Sequence, residues 1–318
     1  MKESIVQAIV PPVERSLIEQ ELNADRFIRN TNKGGNEIYI INHHNSPNTM
    51  REIGRLREVA FRDAGGGTGE AIDIDNYDTK ERCYEQLIVW SPEDKEIIGG
   101  YRFITGDRAY NAETDSFELS TAHYFDFSDR MKKDFLPYAI ELGRSWVQPS
   151  YQPSVNPRKG LFALANIWDG LGALIVYYAD EMHYFFGKVT MYTNYNQEAR
   201  DILLAFLAHY FPDVHQLSQP KPELFSGYSD ELFKENFPTD MPFEEAFRVL
   251  QRLLKDRGEW IPPLINIYMN LSSSMMTFGT AHNPEFGDVE ETGLLVTIKD
   301  IHQNVIDRHC TGYTKPAK

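Results

Sequence analysis

The chain has 318 residues, 42% of them hydrophobic and 25% charged; this suits one large α/β domain, or a domain with an accessory lobe, in the globular range. Its formal net charge of −15 argues against non-specific nucleic-acid binding and against anionic membrane surfaces, except through a local basic patch. The two cysteines, Cys83 and Cys310, sit in no CxxC or nucleophile signature, which excludes a disulfide framework and fits a reducing cytoplasm.

The opening Met-Lys-Glu-Ser has mixed charge, and the apolar stretch after it is too short for a signal-peptide core. Residues 13–22, after Pro11-Pro12, read as a short amphipathic helix and 37–42 as a strand. Pro47 opens a longer helix to about Arg62, with Ile53, Leu56, Ala60 and Phe61 at helical spacing. It stops at the glycine run 65–69, which lacks the Lys-Ser/Thr of a P-loop and reads as a mobile cover. Strands follow at 86–90 and 97–104 around a Pro-Glu-Asp-Lys turn, then at 138–147. A proline-rich loop, 149–157, leads into a helix at 160–179, a strand at 187–192 and a helix at 197–210. Residues 212–260 change character, with prolines, acidic residues and a helix at 243–257, and read as a helical insertion or lid. A helix at 262–271 and a last strand at 293–298 complete the pattern. The strongly apolar stretch 171–179 is too short to span a bilayer. This order predicts an α+β fold, a mixed sheet flanked by helices. The expected division is an N-terminal extension 1–45, a core 46–211, the insertion 212–260 and a C-terminal completion 261–318.

Two constellations carry chemistry. In Glu141-Leu142-Gly143-Arg144-Ser145-Trp146-Val147, strand alternation would put Glu141, Gly143 and Ser145 on one face. The strand, the loop after Val147 and the helix start at Arg158-Lys159-Gly160 could offer backbone N–H groups to a pyrophosphate or phosphopantetheine arm. Upstream lie Arg57, Phe61, the run Asp73-Ile74-Asp75-Asn76-Tyr77-Asp78, and Gly99-Gly100-Tyr101-Arg102. Three carboxylates in six residues suggest a metal loop, but an EF-hand needs an oxygen ligand and then Gly where Tyr77 and Asp78 stand. The nine histidines show no HExxH spacing, so no metal is expected.

In this order, Arg57…Phe61, Asp75-x-Tyr77-Asp78, Gly100-x-Arg102 and Glu141-x-x-Arg144 resemble the signature of the acyl-homoserine-lactone synthases, GNAT-fold enzymes that use acyl-carrier-protein thioesters. The stretch from Glu141 to Tyr151, with Ile261-Pro262-Pro263-Leu264-Ile265 and Asn283-Pro284-Glu285-Phe286-Gly287, is closer to the hemolysin-like N-acyltransferases that begin ornithine-lipid and glycine-lipid synthesis. The resemblance covers roughly residues 50–300. It departs from the GNAT pattern where Gln/Arg-x-x-Gly-x-Gly/Ala reduces here to Arg158-x-Gly160 after a longer, proline-rich stretch.

The resemblance implies a GNAT-like, mostly antiparallel sheet and aminolysis of a thioester. A long (3-hydroxy)acyl chain would pass from acyl carrier protein, or from acyl-CoA, to the amine of a small amino acid, glycine or ornithine, with glycine favoured. No permanently bound cofactor is required. Glu141 would act as base, directly or through water. Arg57, Arg102 and Arg144 would hold the substrate carboxylate, while Asp75 and Asp78 would hold its ammonium or pair with those arginines. Val147 would supply oxyanion N–H groups, and Arg158, Lys159 and Gly160 the thioester arm's contacts. Docking an acidic carrier on an acidic chain needs a basic patch, for which Arg130, Lys132, Lys133, Arg158 and Lys159 are candidates. An acetyl-CoA-dependent acetyltransferase, an autoinducer synthase and a non-catalytic lipid- or carrier-binding protein are the competing readings. The place expected for it is the cytoplasm, with peripheral contact to the inner membrane left open.

Overall fold

The computed structural model describes residues 6–315; the opening Met-Lys-Glu-Ser lies outside them. The chain divides into two compact units. One takes the described residues through Ser120, then Tyr138–His183 and those from His302 onward; the other takes Thr121–Pro137 and Tyr184–Ile301.

The first unit is built on five antiparallel strands in the order β1 (Phe27–Asn30), β2 (Glu37–Ile41), β3 (Glu85–Ser91), β4 (Glu96–Thr105) and β5 (Ala139–Val147). Among its helices are α1 (Arg15–Glu21), α2 (Pro47–Asp63), the single turn α3 (Asn76–Thr79) and α4 (Ala163–Tyr177). Pro47 occupies the first turn of α2, where its missing N–H costs nothing, and Met50, Ile53, Leu56, Ala60 and Phe61 bury one side. The N-terminal 45 residues, expected as an extension, instead supply β1 and β2, because β2 pairs along its length with β3.

Gly54 lies inside α2, where glycine destabilises a helix by about 1 kcal/mol. A Cβ there would stand 2.6 Å from Ile74 Cγ1 and 2.8 Å from Ile72 Cγ1. The bare position lets the chain 72–74 cross the helix, and Asp73 N–H donates to the Gly54 carbonyl at 3.1 Å. This crossing delivers Asp73 to Arg57, one turn further along α2.

The glycine run 65–69, expected as a mobile cover, is tied down. The Glu58 carboxylate, buried in α2, accepts from Thr68 N at 3.1 Å, Thr68 Oγ1 at 2.8 Å and Gly69 N at 2.8 Å, while Arg62 Nε stands 2.6 Å away. Gln7 and Val10 N–H groups then bond to the carbonyls of Gly69 and Ala71.

One run among the described residues, Pro157–Tyr177, has the length and composition to cross a membrane, which the reading of 171–179 did not anticipate. Most of it is buried, including Ile167, Trp168, Leu171 and Leu174.

The second unit is built on three antiparallel strands, β6 (Tyr184–Met191), β7 (Met276–Asn283) and β8 (Val289–Thr297), with β8 pairing both others. Its main helices are α5 (Gln197–Tyr210) and α6 (Phe243–Lys255). Residues 212–260 are a packed part of this unit and not a lid. Phe206 of α5 meets Phe237 and Phe243 at ring distances of 5.7 and 6.0 Å, and Ala246, Leu250 and Leu254 of α6 are fully buried. The architecture is the expected class, largely antiparallel sheet flanked by helices.

Candidate active site

Cross-strand register builds the floor of the site. Gln86 on β3 pairs with Arg102 on β4, and Arg102 pairs with Gly143 on β5. Glu141, two residues before Gly143, shares their face, so Glu141 and Arg102 stand on one side of the sheet.

Regular alternation would send Arg144 to the other face. Instead Gly100 pairs with Trp146 and Arg102 with Gly143, so Arg144 and Ser145 together oppose Tyr101. Arg144 takes φ +46°. This β-bulge re-aims its guanidinium toward Asp73, 2.9 Å from Nε. The expectation that Glu141, Gly143 and Ser145 follow one alternation fails here, because the extra residue breaks the two-residue period.

Three arginines meet three aspartates above this floor. Arg57 Nε bonds Asp73 at 3.0 Å, and its Nη1 and Nη2 bond Asp78 at 3.3 and 3.0 Å. Arg102 Nη1 bonds Asp75 at 2.7 Å and Asp78 at 3.4 Å. Arg144 Nη2 stands 3.9 Å from Asp75, and Gln86 Nε2 donates to Asp78 at 2.9 Å. A reciprocal capping box fixes the aspartates: Asp75 Oδ1 accepts from Tyr77 N at 2.8 Å and Asp78 N at 3.2 Å, while Asp78 Oδ2 accepts from Asp75 N at 3.2 Å.

Burial opposes charge on Asp73, but Arg144 and Arg57 outweigh it and hold its carboxyl well below the usual range. Asp75 is lowered likewise, against burial, by Arg102 and Arg144. Burial also works against charge on Arg57 and Arg102, and the aspartates beside them raise both above their ordinary value.

The cluster has a closed end and an open end. Arg57 and Asp78 have no exposed surface, whereas the side chains of Arg144 and Asp75 are 15% and 33% exposed. Arg57 was expected to meet a substrate carboxylate. Its position gives it a different task, since its guanidinium is enclosed and bonds Asp73 and Asp78.

Glu141 is buried beside this cluster. It accepts a short hydrogen bond from the Tyr84 hydroxyl, and Ser120 N and Oγ donate to it at 3.3 Å each. Ser120 N also donates to Tyr84 Oη at 2.9 Å. Burial and the adjacent Glu141 carboxylate push the Tyr84 phenol well above its ordinary value, so it stays protonated and donates. The Arg102 guanidinium lies 5.1 Å from the Tyr84 ring centre and 5.8 Å from that of Tyr77, whose phenol burial pushes up to about 12.

Val147 closes β5 opposite Gly99, and its carbonyl accepts from Gln152 Nε2 at 3.2 Å. Arg158, Lys159 and Gly160 form a different neighbourhood. Lys159 N–H is capped by Asn156 Oδ1 at 3.1 Å and Gly160 N–H bonds the Asn156 carbonyl at 2.8 Å, so these two amides are not open to a thioester arm as expected. Lys159 Nζ pairs with Asp94 at 2.9 Å, and Tyr151 Oη bonds the same carboxylate. Arg158 is exposed. The five basic docking candidates are divided: Arg158 and Lys159 belong to the first unit, Arg130, Lys132 and Lys133 to the second.

Sequence reasoning left Asp73, Gln86, Tyr84 and Ser120 without roles. Asp73 stands two residues before Asp75, and Gln86 lies on a strand read correctly, so alternation offered a signal for both. Tyr84 and Ser120 lie outside any periodic pattern.

A family model described as an acetyltransferase (GNAT) domain matches residues 56–158, a span that holds every expected site residue except Lys159 and Gly160. Two proteins named glycine N(alpha)-acyltransferase are similar along nearly the whole chain. That of Bacteroides thetaiotaomicron is 50% identical over 304 residues, covering 96% of this chain and 90% of its own length. That of Phocaeicola vulgatus is 46% identical over 310 residues, covering 98% and 94%. The chain belongs to the glycine N(alpha)-acyltransferase family. It is therefore an acyltransferase enzyme, as the motif order implied. A crystal structure of the AHL synthase LasI aligns with 90% of this acyltransferase and 100% of its own chain, at a TM-score of 0.40 and 11% identity.

Proposed function

We propose that this enzyme moves a long acyl chain from an acyl-carrier-protein thioester to the amine of glycine, as a step of aminolipid synthesis. The reading rests on a pairing of two features. Glu141 is a buried carboxylate with a ready-made donor set, and beside it the accessible end of the Arg/Asp cluster offers one anion, Asp75, and one cation, Arg144. That end complements a zwitterion, with ammonium to Asp75 and carboxylate to Arg144 and Arg102. Both full-length relatives carry glycine in their names.

The ammonium must lose a proton before it attacks. Glu141 is enclosed, so the proton reaches it through Ser120 Oγ or Tyr84 Oη, which exchange one proton for another. The neutral amine then adds to the thioester carbonyl, and backbone N–H groups near Val147 stabilise the oxyanion. Collapse forms the amide and expels the carrier's thiolate, which is protonated to the thiol. No covalent enzyme intermediate is needed. The exposed Arg158 contributes to docking of the acidic carrier. The amphiphilic product fits a cytoplasmic enzyme working at the periphery of the inner membrane.

The purified enzyme is incubated with a long-chain acyl-carrier thioester and a panel of amino acids, and N-acyl products are identified by mass. N-acylglycine is expected. Turnover of acetyl-CoA with nothing from long-chain donors would sink the proposal. In the same assay Glu141→Gln is expected to lower kcat by about 10²-fold or more; a full rate would remove Glu141 from the reaction.

A further inference from the structure

At the open end of the cluster, Gly143 is half-buried on β5, and the guanidinium across from it carries an unmet donor. Arg102 is 3% exposed, and its bonds to Asp75 and Asp78 both start from Nη1; Nε is buried with no hydrogen-bond partner. A buried N–H left in that condition destabilises the fold. The protein keeps it beside a residue without a side chain.

The space there has a defined size. A Cβ on Gly143 would sit 3.5 Å from Arg102 Nε, 3.6 Å from Arg102 Cγ and 4.0 Å from Ser120 Oγ, all ordinary contacts. Gly143 is not among the residues with positive φ. Neither packing nor backbone conformation forbids alanine, and glycine inside a strand weakens it. The bare position thus has no structural reason within the chain, whereas close approach of another molecule supplies one.

We propose that Gly143 is the floor of the amino-acid subsite and sets its selectivity. Its missing side chain lets the substrate reach the sheet between Ser120 and Arg102, and a small rotation of Arg102 toward the bare face gives Nε to the substrate carboxylate. The subsite is shallow, closed below by the β5 backbone and flanked by Glu141, so it favours an amino acid without a side chain. This inference rests on the proposed use of a small amino acid.

Wild type and Gly143→Ala are compared by thermal melting, by titration calorimetry with glycine and by KM for glycine in the acyl-transfer assay. The variant is expected to melt at or above the wild-type temperature while its Kd and KM for glycine rise by about tenfold or more, the scale of one methyl group in a fitted pocket. Unchanged Kd and KM overturn the inference, and so does a clear fall in melting temperature, which would make Gly143 a packing requirement. If wild type binds glycine but transfers no acyl group to it, the proposed reaction fails; loss of binding in Gly143→Ala still decides the subsite. If wild type does not bind glycine, both fail.

Discussion

Replacing Arg57 by methionine tests whether the buried ionic cluster holds the first unit together. Methionine keeps much of the length and fills the space with apolar atoms. The substitution removes three charged hydrogen bonds, one to Asp73 and two to Asp78. It also changes the six-residue cluster from three cations and three anions to two and three, with no solvent at its closed end. Breaking a buried pair from one side costs about 3–5 kcal/mol, because an uncompensated charge remains. Against a total stability of about 5–15 kcal/mol that is a large share.

The acid limb gives a second readout. Asp73 is lowered on folding because Arg144 and Arg57 outweigh burial. A carboxyl lowered in this way adds stability above its unfolded value of about 4 and loses it as pH falls through the folded value. With Arg57 gone the folded value rises, so the loss begins at higher pH. Urea unfolding at pH 7 should show a lower midpoint with an unchanged slope, and the acid-unfolding midpoint should move up. A change below about 1 kcal/mol at pH 7, with an unmoved acid limb, would refute the idea that these pairs carry structural weight.

Gly54→Ala should lower the melting temperature, by overpacking that costs about 1–3 kcal/mol, since the new Cβ meets Ile72 and Ile74; a rise, as helix propensity alone demands, would show that the crossing is loose. Tyr84→Phe removes a donor from Glu141 and should cost about 1–3 kcal/mol of stability in urea unfolding. Its kcat should fall while KM for glycine holds; an unchanged kcat would separate Tyr84 from the proton route.

Much of this fold is legible in the sequence because long periodic segments announce themselves. The helix read from Pro47 to about Arg62 is α2, and the strands at 86–90 and 97–104 are the cores of β3 and β4. Strand β7 was not legible. Gly279 at φ +82° and a register shift between Thr277 and Thr280 break its alternation. Strand β1 is four residues long, with Arg29 inside it, and gives too few positions for a pattern. The helix Gln303–His309 carried no expectation either.

At the site, the motif order named the charged residues but not their partners. Which guanidinium takes which carboxylate depends on the crossing at Gly54 and the extra residue beside Tyr101, both products of tertiary packing. The glycine run 65–69 misled for the same reason, because its anchor, Glu58, looks like an ordinary helix-surface acid until the fold buries it.

The bulge at Arg144 makes chain length a constraint in its own right. A strand one residue shorter between Gly143 and Trp146 would keep nearly every side chain that chemistry asks for, yet regain the plain two-residue rhythm. Trp146 would stay opposite Gly100 and keep its face, but the strand would lose the extra residue that swings the Arg144 guanidinium onto Asp73. The segment is specified by counting as well as by composition, and relatives that keep this site should be able to exchange side chains here far more readily than they can gain or lose a single residue.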